Sequence, residues 1–114
     1  SLEQEELMWV RTLKITFKNQ IMKDSIESYM SEKVDLTEGM ILSYRVHLSS
    51  NAVLVNHFFS SKEALQGFTT KLKPVREQII AMGAKIDGYD GEVFNFKVAG
   101  DVTLDMLMNG MRTE

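Results

Sequence analysis

The stretch from Gly39 to Phe68, GMILSYRVHLSSNAVLVNHFFSSKEALQGF, constrains the fold most, because one run encodes a strand, a reversal, a second strand and a capped helix. In its first arm Met40, Leu42, Tyr44, Val46 and Leu48 share one face, and Ile41, Ser43, Arg45, His47 and Ser49 the other. That two-residue alternation is the mark of a half-buried strand. Ser49 to Ala52 supplies the turn, with Asn51 suited to a positive φ. Val53 to Phe59 is rich in β-branched and aromatic residues, as strands are. Ser60-Ser61-Lys62-Glu63 then has the form of a capping box, with Ser60 as the cap and Glu63 bonding back.

Around this unit the other elements follow in order. Trp9 to Phe17 alternates as a first strand, with Trp9, Arg11, Leu13, Ile15 and Phe17 on one side. Asn19 caps a helix over Gln20 to Lys33, where Ile21, Met22, Ser25, Ile26, Tyr29 and Met30 recur at helical spacing and Lys23 faces out. Val34 to Glu38 connects it to the hairpin. The helix after the hairpin carries Ala64, Leu65, Phe68 and Leu72 inward. Pro74 predicts a break near Lys71 to Lys73 and a second segment from Pro74 to Met82, with Gly83 as its C-terminal cap. Asp87-Gly88-Tyr89-Asp90-Gly91 reads as a turn, and Glu92 to Val98 as the last strand. Asp101 caps a short terminal helix.

The order β-α-β-β-α-β predicts an α+β fold, a ferredoxin-like four-stranded antiparallel sheet with helices on one face. One domain is expected over 1–114, with 1–7 a flexible arm and 100–114 a C-terminal tail. The face away from the helices would carry Val10, Ile41, Leu54, Phe58 and Val93. A patch of that kind is larger than a monomer ordinarily leaves bare, so a homodimer with paired sheets is expected.

Composition narrows the partners. A net charge of −3, with no run of Lys and Arg, excludes the basic surface that nucleic acid or an anionic membrane attracts. No cysteine is present, which removes disulfides, thiolate metal sites and a cysteine nucleophile together and fits a reducing cytosol. No apolar run approaches the roughly 20 residues of a membrane span. The N-terminal SLEQEEL is acidic and unlike a signal peptide, so a cytoplasmic protein is expected.

The segment Glu38-Gly39-Met40-Ile41-Leu42-Ser43-Tyr44-Arg45, followed by a strand and Ser61-Lys62-Glu63-Ala64-Leu65, resembles the dimeric α/β-barrel superfamily, in particular its antibiotic-biosynthesis-monooxygenase-like branch. The resemblance spans roughly residues 8–98 and implies a dimeric barrel. The activity it implies is cofactor-independent oxygenation of an aromatic or polyketide-like substrate. Phe59 stands where many members end the third strand with tryptophan, and Phe68 where many place a histidine. The first strand lacks the asparagine of haem-degrading relatives.

Three polar residues stand out on otherwise apolar strand faces. With a two-residue loop at Ser50 and Asn51, Tyr44 pairs across from His57 and Arg45 from Asn56. Tyr44 and His57 would then share the pocket-facing side, and Arg11 would join them if the first strand turns its apolar side to the helices. In such a pocket Arg11 would neutralise a ligand carboxylate, while Tyr44 and His57 donate hydrogen bonds. Eight methionines suit a pocket that adapts to a flexible apolar ligand. The alternative is a satisfied Tyr–His pair in the core.

Two histidines on opposite faces, without HxH or HxxxH spacing, do not make a metal site. No phosphate loop, nucleophile elbow or calcium loop is present, and no cofactor is implied. Three functions remain open: a binder of a small apolar molecule, a cofactor-independent monooxygenase, and a structural protein whose pocket its own side chains fill.

Overall fold

The computed structural model describes residues 7–33, 36 and 39–110. The expected N-terminal arm up to Glu6, most of the Val34 to Glu38 connection and the last four residues of the expected tail lie outside the described residues. In chain order the elements are β1 (Trp9–Thr16), α1 (Gln20–Lys33), β2 (Met40–Ser49), β3 (Ala52–Phe59), α2 (Lys62–Ala81), β4 (Lys85–Glu92) and α3 (Leu104–Met108). The sheet order is β2-β3-β1-β4, with each neighbouring pair antiparallel. This is the ferredoxin-like arrangement that the element order predicts.

Alternation along the two central strands sends Leu13, Ile15, Val53, Val55 and Phe59 to the face that α1 and α2 cover. There Ile15, Val53 and Val55 pack with Ile26 and Met30 of α1 and Ile79 of α2. A second cluster joins Met40 and Phe59 to Leu65 and Phe68 near the start of α2. Burying a side chain such as Phe59, with no exposed surface, contributes about 1.5–3 kcal/mol. Between the two clusters the same face carries Arg11 and His57.

Local signals set most helix ends. Asn19 accepts from the Met22 N–H at 2.8 Å and caps α1 as expected. At the end of α2, the Gly83 N–H donates to Ile80 at 2.9 Å and the Ala84 N–H to Ile79 at 3.1 Å. With Gly83 at φ +98° this is a Schellman closure, which favours glycine. The α2 cap is Ser61 rather than Ser60, its Oγ accepting from the Ala64 N–H at 3.1 Å. Ser60 instead donates its N–H to the Gly39 carbonyl at 2.7 Å, tying the start of β2 to α2. Thr103, not Asp101, caps α3.

Three expectations are corrected here. First, α2 is one helix through Pro74, without the break near Lys71 to Lys73. Pro74 and Thr70 are both exposed, so solvent reaches the carbonyl that loses its partner and the helix survives. Second, Lys23 is buried at 5% exposure instead of facing out. Its stem lies along the core while Nζ donates to the Ser49 carbonyl at 2.9 Å. Third, the last strand is Lys85–Glu92, not Glu92 to Val98.

The residues read as a turn are therefore the strand. They pair with β1 in unbroken register from Trp9↔Glu92 to Thr16↔Lys85. Gly88 fits because an added Cβ would come 2.7 Å from Leu13 Cδ2. The apolar alternation beyond it is real but unpaired within the sheet: Phe94 is 94% exposed. Phe96 crosses to the uncovered face, where its ring meets Phe58 edge-on at 5.7 Å.

Candidate functional site

The site is built where the covered face is polar. Arg11 of β1 lies between His57 of β3 and Asp90 of β4, its partners in the two ladders. Arg11 and His57 thus meet as expected, because β1 does turn its apolar side to the helices.

Tyr44 does not join them. The sheet pairs Ser43 with His57 and Tyr44 with Asn56. Irregularities between Met40 and Leu42 and between His47 and Ser49 shift the register, so the stretch between them alternates in the opposite phase. Tyr44 therefore points to the uncovered face, where its ring lies 6.3 Å from that of Phe58. Ser43, expected on the other face, takes the place expected of Tyr44: its Oγ and His57 Nδ1 are 2.8 Å apart. Arg45 follows Ser43 onto the covered side, where its Nε donates to Glu27 of α1 at 2.8 Å.

His57 is buried, with 3% exposure, between Phe59 and Phe68, whose ring centroid is 5.3 Å away. Burial first, then the positive charges of Arg45 and Arg11, lower its pKa to about 4. The imidazole is thus neutral at pH 7. Its Nδ1 is engaged by Ser43, while among the described residues Nε2 has no hydrogen-bond partner.

Arg11 is already matched. Its Nε donates to Asp90 Oδ1 at 2.8 Å and a terminal nitrogen to Oδ2 at 2.9 Å. The hydrogen bonds from Arg11 hold the Asp90 carboxyl below the usual carboxylate range. In this structure the carboxylate that Arg11 neutralises is internal, that of Asp90.

Two spaces adjoin this group. The inner cavity, of about 60 Å³, lies between the sheet and α2 and is bounded by Arg11 and His57 with Leu13, Met30, Phe68 and Leu72 among its apolar walls. The outer cleft, of about 320 Å³, opens beside Trp9, Lys62, Gln66 and Asp90. Lys62 Nζ sits 5.2 Å from the Trp9 ring centroid, a cation–π contact. Arg11 and Thr69 line both spaces.

Sequence reasoning finds Arg11 and His57, because strand alternation places them. It misses Ser43, which only the irregular register moves into reach, and Asp90, which sits in a run rich in turn residues. A lone arginine on an apolar strand face was a signal that some carboxylate had to meet it. Among the described residues no cluster of three or more His, Cys, Asp or Glu could hold a metal ion. Nor is any described helix long and apolar enough to cross a membrane.

No protein-family model matches the chain, and no curated protein matches it by sequence. Solved structures do match in fold. A dimeric ferredoxin-like protein from an uncultured marine organism superposes with a TM-score of 0.68 at 12% identity, covering 81% of this chain and 100% of its own. A monooxygenase from the gene ActVA-Orf6 of Streptomyces coelicolor, in complex with Nanaomycin D, gives 0.65 at 10% identity over 82% of this chain and 94% of its own. SnoaB, a cofactor-independent oxygenase from Streptomyces nogalater, gives 0.52 at 9% identity over 83% and 99%. The chain therefore shares the ferredoxin-like fold of these structures.

Proposed function

We propose that the protein is a cytosolic homodimer that binds a small, largely apolar molecule between its sheet and α2, with His57 as the polar contact. The observation that carries this reading is a neutral imidazole that lines a largely apolar cavity and whose Nδ1 is engaged by Ser43, leaving Nε2 without a hydrogen-bond partner among the described residues. A hydrogen bond from a ligand to Nε2 would contribute a net ~0.5–1.5 kcal/mol. With Ser43 donating to Nδ1, Nε2–H is a donor to a carbonyl. With the opposite tautomer it accepts from a hydroxyl. The inner cavity is smaller than the ~300–1,000 Å³ of ordinary ligand pockets, so binding requires Met30, Leu72 or Arg11 to move. Flexible methionine suits that adjustment.

The second reading is cofactor-independent oxygenation of an aromatic substrate, favoured by the folds of SnoaB and the ActVA-Orf6 monooxygenase. A pKa near 4 makes His57 a poor proton acceptor at neutral pH, since an efficient general base titrates near the working pH. His57 would then position a substrate by hydrogen bonding. The dimer is supported by the apolar part of the uncovered face, where Tyr44 and Val46 are exposed beside Leu54 and Phe58.

Native mass spectrometry tests the reading, with identification of any small molecule released on denaturation. The expected result is a dimer carrying an organic molecule that His57→Phe loses while remaining dimeric. A ligand-free protein whose melting temperature no aromatic compound raises would overturn it. Consumption of oxygen with a bound ligand would select the oxygenase over the binder.

A further inference from the structure

Arg11 lines both the inner cavity and the outer cleft, as Thr69 does, and the two halves of its ion pair are held very differently. The Arg11 side chain, on an inner strand, is 12% exposed, whereas that of Asp90, on the edge strand β4, is 37% exposed. Asp90 can rotate into solvent; Arg11 cannot leave the fold. On the cleft side a second cation, Lys62, has no carboxylate within ion-pair distance among the described residues.

We propose that Asp90 is an internal stand-in for a ligand carboxylate, and that the ligand is an aromatic carboxylic acid whose anionic group replaces Asp90 on Arg11. This rests on the reading that the space beneath α2 takes a small molecule, and it names the class of that molecule. The physical case is an exchange of like for like. A buried guanidinium without a partner is costly, and a partner that leaves before the ligand arrives would expose that cost. When one bidentate carboxylate succeeds another, Arg11 is never left bare, and its planar fork fits either equally. Asp90 meanwhile regains water at the sheet edge.

Displacing Asp90 also frees Arg11, which lines both spaces, to move with the ligand. The ring system then extends past Arg11 toward His57 and the apolar wall, while the acid stays at the junction, within the field of Lys62. The outer cleft alone reaches the lower end of the volume range of drug-sized pockets, and joined to the inner cavity it accommodates a fused-ring acid. His57 Nε2 remains available to a carbonyl or hydroxyl at the far end of such a molecule.

The test compares 2-naphthoate with its neutral isostere 2-naphthamide by titration calorimetry. Asp90→Asn keeps the shape of the side chain and removes its charge. Because a site whose competent form is scarce binds with proportionally reduced affinity, freeing Arg11 should tighten naphthoate by about tenfold or more. Naphthamide should change by less than about twofold. Arg11→Gln should abolish the preference for the acid. A readout on the unmutated protein makes the result independent of any folding defect: saturating naphthoate should raise the pKa of Asp90, followed by its carboxyl carbon resonance, as Arg11 is taken from it. Equal affinities for the two probes in Asp90→Asn, or an Asp90 titration unmoved by naphthoate, would overturn the exchange while leaving a pocket for neutral molecules intact. Binding of neither probe to any form would overturn the pocket itself.

Discussion

Phe58 and Phe59 are neighbours in β3, yet they inhabit opposite conditions. Phe59 is sealed under α2 with no exposed surface, while Phe58 lies on the uncovered face against Tyr44 and Phe96. The covered face supports stability and encloses the polar group at Arg11 and His57. The uncovered face carries Leu54 and Phe58 with the exposed Tyr44 and Val46 on its β2–β3 half, and mixes them with Lys14, Thr12 and Asn56, the last two bonded to one another at 2.6 Å. The difference teaches that apolar content does not by itself mark the interior of this chain. One face is completed by the protein's own helices, and the other is suited to completion by a second copy.

The sharpest way to break this comparison is truncation. Phe59→Ala should cost about 3–5 kcal/mol in urea unfolding, the range for a buried phenylalanine. A loss below that for Phe59→Ala would mean the covered core is looser than its burial indicates. Next comes pH. The folded pKa of His57 is lowered to about 4 from 6.5, so between these values the unfolded chain binds a proton that the native one does not. Stability therefore falls as pH drops through that window, by about 3 kcal/mol in all, and is fully retained above it. His57→Gln should flatten that dependence, and a parallel slope in the variant would assign it to other groups.

On the uncovered face the expected effect is on association rather than folding. Phe58→Asp should weaken the dimer by about 2 kcal/mol or more in analytical ultracentrifugation, with the far-ultraviolet dichroism unchanged. A dimer of undiminished affinity would move the interface elsewhere. Ser61→Ala removes the α2 cap and should cost about 1 kcal/mol. Smallest of all, Tyr44→Phe should change monomer stability by less than about 0.5 kcal/mol, because Tyr44 is surface-facing and has no part in the His57 group.

Much of this architecture was legible in the sequence wherever the signal was local. Asn19 and Gly83 mark helix ends through bonds to residues a few positions away, and alternation in β1 and β3 assigns Arg11 and His57 to one face. What failed depends on distant partners. β4 looks like a turn because Gly88, Asp90 and Gly91 favour one, yet pairing with β1 and the Arg11–Asp90 bond make it a strand. Tyr44 was misplaced because nothing in the residues around Ile41 and Leu48 announces an irregular register. Ser60 and Ser61 are chemically equivalent as caps. The choice between them follows from the Ser60 N–H being taken by Gly39.

The course of α2 has a mechanical consequence. The helix is fastened just before its first turn by the Ser60 N–H bond to the Gly39 carbonyl, where Gly39 lies too close to Ala64 to carry a Cβ, and again at its last by the closure at Gly83. Between these anchors Pro74 removes one rung of the ladder, next to Leu72 and Val75, which roof the inner cavity. A beam held at both ends and notched in the middle bows at the notch. The least costly deformation of α2 therefore lifts the roof while both ends stay seated, and the cavity can enlarge without the fold coming apart.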